Sequence, residues 1–288
     1  MVNSEMLYLY DAKLTNTNGD PDEENRPRMI DNQNIVTDLR LKRYIRDYFM
    51  EKGHELYVQK VDGESVTAEK RVADKELKTE DQVLDSFADV RLFGATMPIK
   101  NNNMHFTGPV QFNWGYSLND VELIEASITS QFASSESKKQ GAIGKDYRVR
   151  YSFLAFSGVI SAHRAEHTKL REEDVILMDE AMKYAIPLQV TRSKIGQYPR
   201  LYLRVEYNNA ETILGDLRDY IVLKNKKDLS GIQDVELEMA DLVQLLTNNK
   251  EKIQKIYYYC NSQLNLMFRG EKKEIGEMLK EFELCEIR

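Results

Sequence analysis

Residues 11–46 read DAKLTNTNGDPDEENRPRMIDNQNIVTDLRLKRYIR, and their order limits what can be built around them. Just before, the alternating aromatic run MLYLYDAK at residues 6–13 predicts a strand. Residues 15–28 form a loop rich in Asn, Gly, Asp and Pro, which favour turns. The loop is too polar to bury and too long for a plain connector, so it points to a working role. Thr37 or Asp38 can cap the helix that follows. On that helix Leu41, Tyr44, Ile45, Tyr48 and Phe49 share one face, while Lys42, Arg43 and Arg46 share another. The apolar face is expected to anchor in a core and the basic arc to meet an anion. A solvated basic edge of an amphipathic helix would show the same spacing.

Further along, residues 55–61 suggest a short strand, and residues 82–93 a helix that Gly94 can end. Residues 105–116 alternate as a long strand broken by Pro109. Residues 124–131 lead into SSESKKQGAIGKDYRVR, an extended loop or hairpin projecting from the body. Residues 151–162 (YSFLAFSGVISA) predict a central strand, 172–186 a helix ended by Pro187, and 200–207 another strand. Helical patterns are then read at residues 241–247 and 250–268, with Cys260 packed in the latter. Without the inserts the order is strand, helix, strand, strand, helix, strand, that of an α+β, ferredoxin-like domain.

The 288 residues suffice for one elaborated domain, and 42% hydrophobic with 30% charged residues suits a globular chain. No apolar run approaches transmembrane length, and the start MVNSEMLYLYDAK lacks a basic region before an apolar core. A cytoplasmic protein without a membrane partner is expected. Two cysteines, Cys260 and Cys285, are too few for a disulfide framework. A net charge of −7 argues against indiscriminate nucleic-acid binding but leaves local binding open. Residues 138–150 carry five basic residues against Asp146 alone, and residues 192–204 carry four and no acid. That segregation suits a basic groove in an acidic shell.

Several chemistries fit poorly. Asn16, Asn18, Asp20 and Asp22 alternate like a calcium loop, but Gly19 is misplaced and no distal Glu follows between two helices. HRAEH at residues 163–167 matches a zinc-protease string without the helical context and third ligand it needs. No phosphate-binding loop, dinucleotide fingerprint or nucleophile elbow is present. No cofactor or metal is therefore expected. What remains suits single-stranded RNA, which needs cations along its backbone and flat or apolar groups beside its bases. Lys42, Arg43 and Arg46 are offered by the helix and Arg26 and Arg28 by the loop, where Asn18 is a further RNA-binding candidate and Gly19 allows close backbone approach. Lys138, Lys139, Lys145, Arg148 and Arg150 form a basic arm, with Phe132, Ile143 and Tyr147 able to wedge beside a base. His163, at the end of a core strand, can also face a ligand.

NGDPDEENRPR followed by TDLRLKRYIRDY resembles the Cas-seven family of CRISPR-associated proteins, most like the subtype I-B backbone subunit of Cascade. DVRLFG, GPVQF and YRVRYSF extend the resemblance over residues 6 to about 163, in the expected order. The resemblance implies an RRM-like palm, a fingers-like insertion at residues 55–103 and a thumb loop at 127–150; the part at 209–288, beyond the resemblance, is read as mainly helical from its patterns alone. It also implies a non-catalytic crRNA-binding subunit. Its partners would be further copies of itself in a helical filament, the Cas-five and large subunits, and target DNA through the guide. Cutting would belong to a separate helicase-nuclease. Two alternatives stand beside it: a metal-dependent RNase of the type III kind using Asp11 or Asp20, and an interaction protein with no nucleic-acid role.

Overall fold

The aromatic run near the N-terminus becomes strand β1 (Ser4–Thr15), in which residues 4–12 are all buried. A computed structural model describes residues 1–98, 103–133 and 141–288, and the side chains of these except 130–133 and 141–143. Burial on both faces follows from the period of two. Met6, Tyr8, Tyr10 and Ala12 join one core cluster, and Leu7 and Leu9 another.

The elements around β1 are helix α1 (Asp38–Glu51), helices α2 (Glu80–Ser86) and α3 (Ala88–Phe93), and strands β2 (Val110–Phe112) and β3 (Gly115–Ser117). A hairpin follows, β4 (Leu123–Ala133) and β5 (Gly141–Ile160), then helices α4 (Ala162–Thr168) and α5 (Glu172–Tyr184) and strand β6 (Gln197–Tyr207). Helix α6 (Ala240–Asn248) and strands β7 (Ile253–Cys260), β8 (Asn265–Phe268) and β9 (Leu284–Glu286) complete the set used below. β1 lies between β5 and β6, antiparallel to both. β2 and β3 pair with β5, and β7 then β9 extend the sheet beyond β6.

One face of the sheet is covered by α1 and α5, through Tyr44, Ile45, Phe49, Met178 and Met182. Tyr8 sits opposite Phe156 and Tyr202, with ring centroids 6.5 and 6.2 Å away. The other face is covered by the C-terminal part, through Leu217, Leu237, Leu242 and Leu266. A third cluster, with Val72, Val83, Phe87, Val90, Met97 and Met104, gives the insertion after α1 a small core of its own.

Three local expectations change, and the break at Pro109 falls where it was expected. Residues 82–93 are two helices, because Phe87 takes an extended conformation (φ −124°, ψ 106°) and drops its fully buried ring into the insertion core. Residues 55–61 make no strand beyond a bridge from Val61 to Glu64, since the Tyr57 and Val58 amides donate to the Asp89 carboxylate instead of a ladder. Residues 105–116 split into Met104–Thr107, β2 and β3 around Pro109, which has no amide proton to donate. Most consequentially, residues 250–268 are not a helix. IYYYC lies in β7, paired with β6, and residues 265–268 form β8, parallel to Glu236–Glu238. β-branched and aromatic side chains fit a pleated surface, and a free sheet edge decided between the two periods. The part at 209–288 is therefore mixed rather than mainly helical, and Cys260 ends a strand, where burial pushes its thiol up to about 12.

Gly94 ends α3 at φ 75°, a left-handed conformation, and a Cβ added there would collide with Phe106 O and Gly108 N. Gly94→Ala is expected to lower stability by roughly 2–4 kcal/mol, combining backbone strain and overpacking. Urea unfolding of the full chain measures it; an unchanged midpoint would mean that the insertion yields freely.

Candidate nucleic-acid interface

The loop after β1 is held by its own polar groups. Asn16, 2% exposed, donates from Nδ2 to the carbonyls of Asn25 (2.7 Å) and Tyr147 (3.2 Å). Thr15 Oγ1 donates to Ser193 O at 2.6 Å and Thr17 Oγ1 to Asn34 Oδ1 at 2.9 Å. Asn18 is buried, its side chain 3.4 Å from the Thr37 hydroxyl that caps α1. Gly19–Asp20 pairs with Arg26–Pro27 as a miniature hairpin, and a Cβ on Gly19 would collide with the Asn25 side chain. Asp20 caps the turn at Pro21–Glu23 and pairs with Arg28. The close approach that Gly19 allows is thus made within the loop.

The tip of this loop packs on the base of the β4–β5 hairpin. The Arg26 guanidinium lies 4.6 Å over the Tyr147 ring, and Tyr147 donates to Glu24 Oε2 at 3.0 Å. Lys145 is exposed and reaches Glu125 (3.2 Å) and Glu24 (3.6 Å); Tyr147 and Glu125 push its ammonium above the ordinary lysine range. Arg148 donates to Leu14 O (2.8 Å), Arg192 O (3.2 Å) and Asp146, clamping the hairpin to the end of β1. Arg150 is exposed and pairs with Glu122 at 2.9 Å. Arg26, Arg28, Lys145, Arg148 and Arg150 are therefore brought together around one end of β1.

Other expected residues are not. Lys42 is buried, donating to Asp38 (3.1 Å) and Gln111 (3.0 Å). Arg46 is buried against Asp89 at 2.9 Å, and Asp89 also accepts from the Tyr57 and Val58 amides. The basic arc of α1 is corrected accordingly: Asp89 of the insertion takes up Arg46, Asp38 of the same helix and Gln111 of β2 take up Lys42, and Arg43 is left exposed beside Asp47. Tyr147 is buried and engaged, so it does not stand free as a wedge. His163 sits on α4, beyond the opposite end of β5, with its ring 4.9 Å from that of His167. Lys138 and Lys139 lie outside the described residues, as do the side chains of Phe132 and Ile143. Among the described residues no three His, Cys, Asp or Glu side chains cluster as a metal site would.

Two cations were not singled out from the sequence, Arg40 and Lys194, the latter counted only within the basic tract at 192–204. Lys194 donates to Asn16 O (2.6 Å) and Thr17 O (3.4 Å), and burial together with the nearby Arg40 lowers its ammonium to about 7. Arg40 stands in the first turn of α1, its guanidinium 4.2 Å over the Tyr44 ring. A cation there opposes the helix dipole, and that was the available signal.

The family model described as CRISPR-associated protein Cas7 matches residues 2–240. A CRISPR-associated protein Cas7 of Haloferax volcanii is 34% identical over 299 residues, covering 91% of this chain and 88% of the relative. The chain belongs to the Cas7 family. A chain of a CRISPR RNA-guided surveillance complex described as pre-nicking shares the fold with a TM-score of 0.60 at 11% identity, over 99% of this chain and 96% of that one. A chain of another CRISPR RNA-guided surveillance complex gives 0.56 at 12% identity, over 99% and 94%.

In this member of the Cas7 family both carboxylates considered for nuclease chemistry are engaged. Asp11 is buried, accepts two bonds from Arg200 (2.8 and 3.0 Å) and one from Tyr151 (3.1 Å). Burial raises its carboxyl above the usual range, against the pull of Arg200 and Tyr151. Asp20 is taken by Arg28 and by its capping bond.

Arg46→Ala leaves Asp89 buried without its cation and is expected to cost about 3–5 kcal/mol of stability. Arg43→Ala, on the exposed side of the same helix, is expected to stay within about 0.5 kcal/mol. Urea unfolding of both variants decides; equal small effects would place Arg46 at the surface.

Proposed function

We propose that this chain binds crRNA as the repeated backbone subunit of a type I CRISPR surveillance complex, of the I-B kind, without cutting nucleic acid itself. The observation that carries the reading is the surface where the Asn-rich loop meets the β4–β5 hairpin, in a chain of the Cas7 family. Its outward cations, Arg26, Lys145 and Arg150, are held by exposed glutamates. Such pairs are weak and screened by salt, so a phosphate can displace the carboxylate. Contacts of that kind hold a backbone without reading its sequence and leave base edges to pair with target DNA.

The strand order β6–β1–β5–β2, with α1 and α5 on one face, supports an RRM-like palm. The separate core after α1 supports fingers at residues 55–103, and the long hairpin supports a thumb at 127–150. Copies joined head to tail through a thumb form a helical filament rather than a closed ring. The Cas-five and large subunits would complete the assembly. The subtype rests on the run NGDPDEENRPR and the helix after it.

Nucleic acid extracted from the native complex and sequenced should consist of uniform guide RNAs; mixed cellular RNA, or none, would overturn the reading. Arg26→Ala/Lys145→Ala/Arg150→Ala should weaken binding of unrelated RNA sequences to a similar extent. It should also flatten the dependence of log K on log salt by roughly 0.7 for each phosphate that the variant no longer neutralises. An unchanged slope in a folded variant would show that this surface does not meet the backbone.

A further inference from the structure

We propose that Arg40 and Lys194 form a two-cation seat for one backbone phosphate of the guide RNA, at the junction of α1 with the loop after β1. The inference rests on the RNA-binding reading above and adds a site that neither the loop nor the hairpin contains.

Neighbouring cations have acids. Arg28, Lys42, Arg43 and Arg46 each meet an aspartate. Arg40 and Lys194 meet none among the described residues. Arg40 is oriented by its stacking on Tyr44, yet its Nε is buried with no hydrogen-bond partner. Lys194 has three N–H donors and directs them at two neutral carbonyls, Asn16 O and Thr17 O. The loop that carries Lys194 is tied to α1 by Gln189, which donates to Asp47 at 3.1 Å. Nearer the two cations, Tyr44, under the Arg40 guanidinium, donates to Gln197 Oε1 at 3.3 Å, and Gln197 Nε2 donates to Lys194 O at 3.0 Å, so separate elements bring two like charges to one junction with no carboxylate paired to either among the described residues. Placing a phosphate there would satisfy an orphaned donor and relieve the repulsion. The α1 dipole adds to the attraction, since Arg40 stands in the first turn of a 14-residue helix. Each cation also has an exposed apolar neighbour in sequence, Leu39 at 69% and Ile195 at 58%. Cations interleaved with apolar side chains are what a single strand requires.

Burial, and after it the charge of Arg40, lower the Lys194 ammonium, as expected of two cations that share one junction. Arg40 is the charged group facing it from α1, while the loop after β1 presents only carbonyls. On the Lys194 loop itself, Arg192 is turned to Asp146. Tyr10, behind Arg40, is kept neutral by burial. In the unfolded chain Lys194 keeps its proton to about pH 10.4, but the folded, empty chain releases it near 7. The unfolded state therefore binds more protons in that window, and the stability of the empty protein should rise with pH across it. A bound phosphate reverses the preference, so binding above neutral pH takes up a proton and weakens as pH rises.

The test is fluorescence anisotropy of a labelled single-stranded oligouridylate with the full chain and three variants, each checked by thermal unfolding. Arg40→Gln removes a cation that makes no internal ion pair, so it is the variant least exposed to misfolding. It should weaken binding about tenfold and reduce the salt slope by roughly 0.7. Lys194→Met should do the same. Wild type should bind about tenfold more weakly near pH 8.5 than near pH 6.5, as one linked proton allows. Lys194→Arg, charged throughout, should bind like wild type at the lower pH and lose that dependence. Wild-type affinity and salt slope in folded Arg40→Gln, or an identical pH profile in Lys194→Arg, would overturn the seat while leaving the RNA-binding reading standing. A wild-type chain that binds no RNA at any pH would overturn both.

Discussion

The rest of the structure depends on the double burial of β1. A strand covered on both faces needs a layer on each side, and its alternation assigns the layers. Tyr8 and Tyr10 call for wide, aromatic partners, which α1, α5 and Phe156 supply. Leu7 and Leu9 call for an aliphatic layer, which the chain after β6 supplies. The C-terminal part is thus half of the packing of the central strand. Its strands β7 and β9 also lengthen the sheet that β1 organises.

Buried ion pairs lock the layers in place. Asp11–Arg200 joins β1 to β6, and Asp179–Arg204 joins α5 to β6. Arg91–Asp174 joins α3 to α5, and Arg46–Asp89 joins α1 to α3. A buried pair adds little net stability over an apolar pair, but a shifted element would leave a charge buried alone. Each pair therefore penalises misplacement of the elements it connects. Of these four arginines, Arg46 was a candidate to bind RNA, and Arg200 and Arg204 made up half of the basic tract at 192–204; all three are committed to buried carboxylates.

What reaches solvent is a different subset. Around the end of β1, cations sit on a preformed loop and a hairpin base, tied by Tyr147, Arg148 and Asn16. Rigid placement before binding reduces the entropy a ligand must offset. Exposed glutamates hold these side chains without committing them. A net charge of −7 is compatible with such a surface, because a phosphate responds to the nearest cations and salt screens the rest.

Local features were legible from residue order. The period of two in MLYLYDAK, the turn chemistry of residues 15–28, the cap at Thr37, the break at Pro109 and the hairpin around residues 123–150 all arise from interactions within a few residues. The motifs that carry the Cas7 resemblance lie in the same stretches. Three things were decided only by the tertiary structure. Whether residues 253–260 extend or coil depended on the free edge of β6, more than forty positions earlier in the chain. Whether Arg46 faces solvent or an aspartate depended on where the insertion folds back, since Asp89 lies 43 residues from Arg46. And bringing Arg40 and Lys194 to one junction, through Tyr44 and Gln197, required α1 to dock beside a loop that no helical or strand period describes. Periodicity reports which face of an element is apolar; it carries no information about which distant group will come to lie against the polar one.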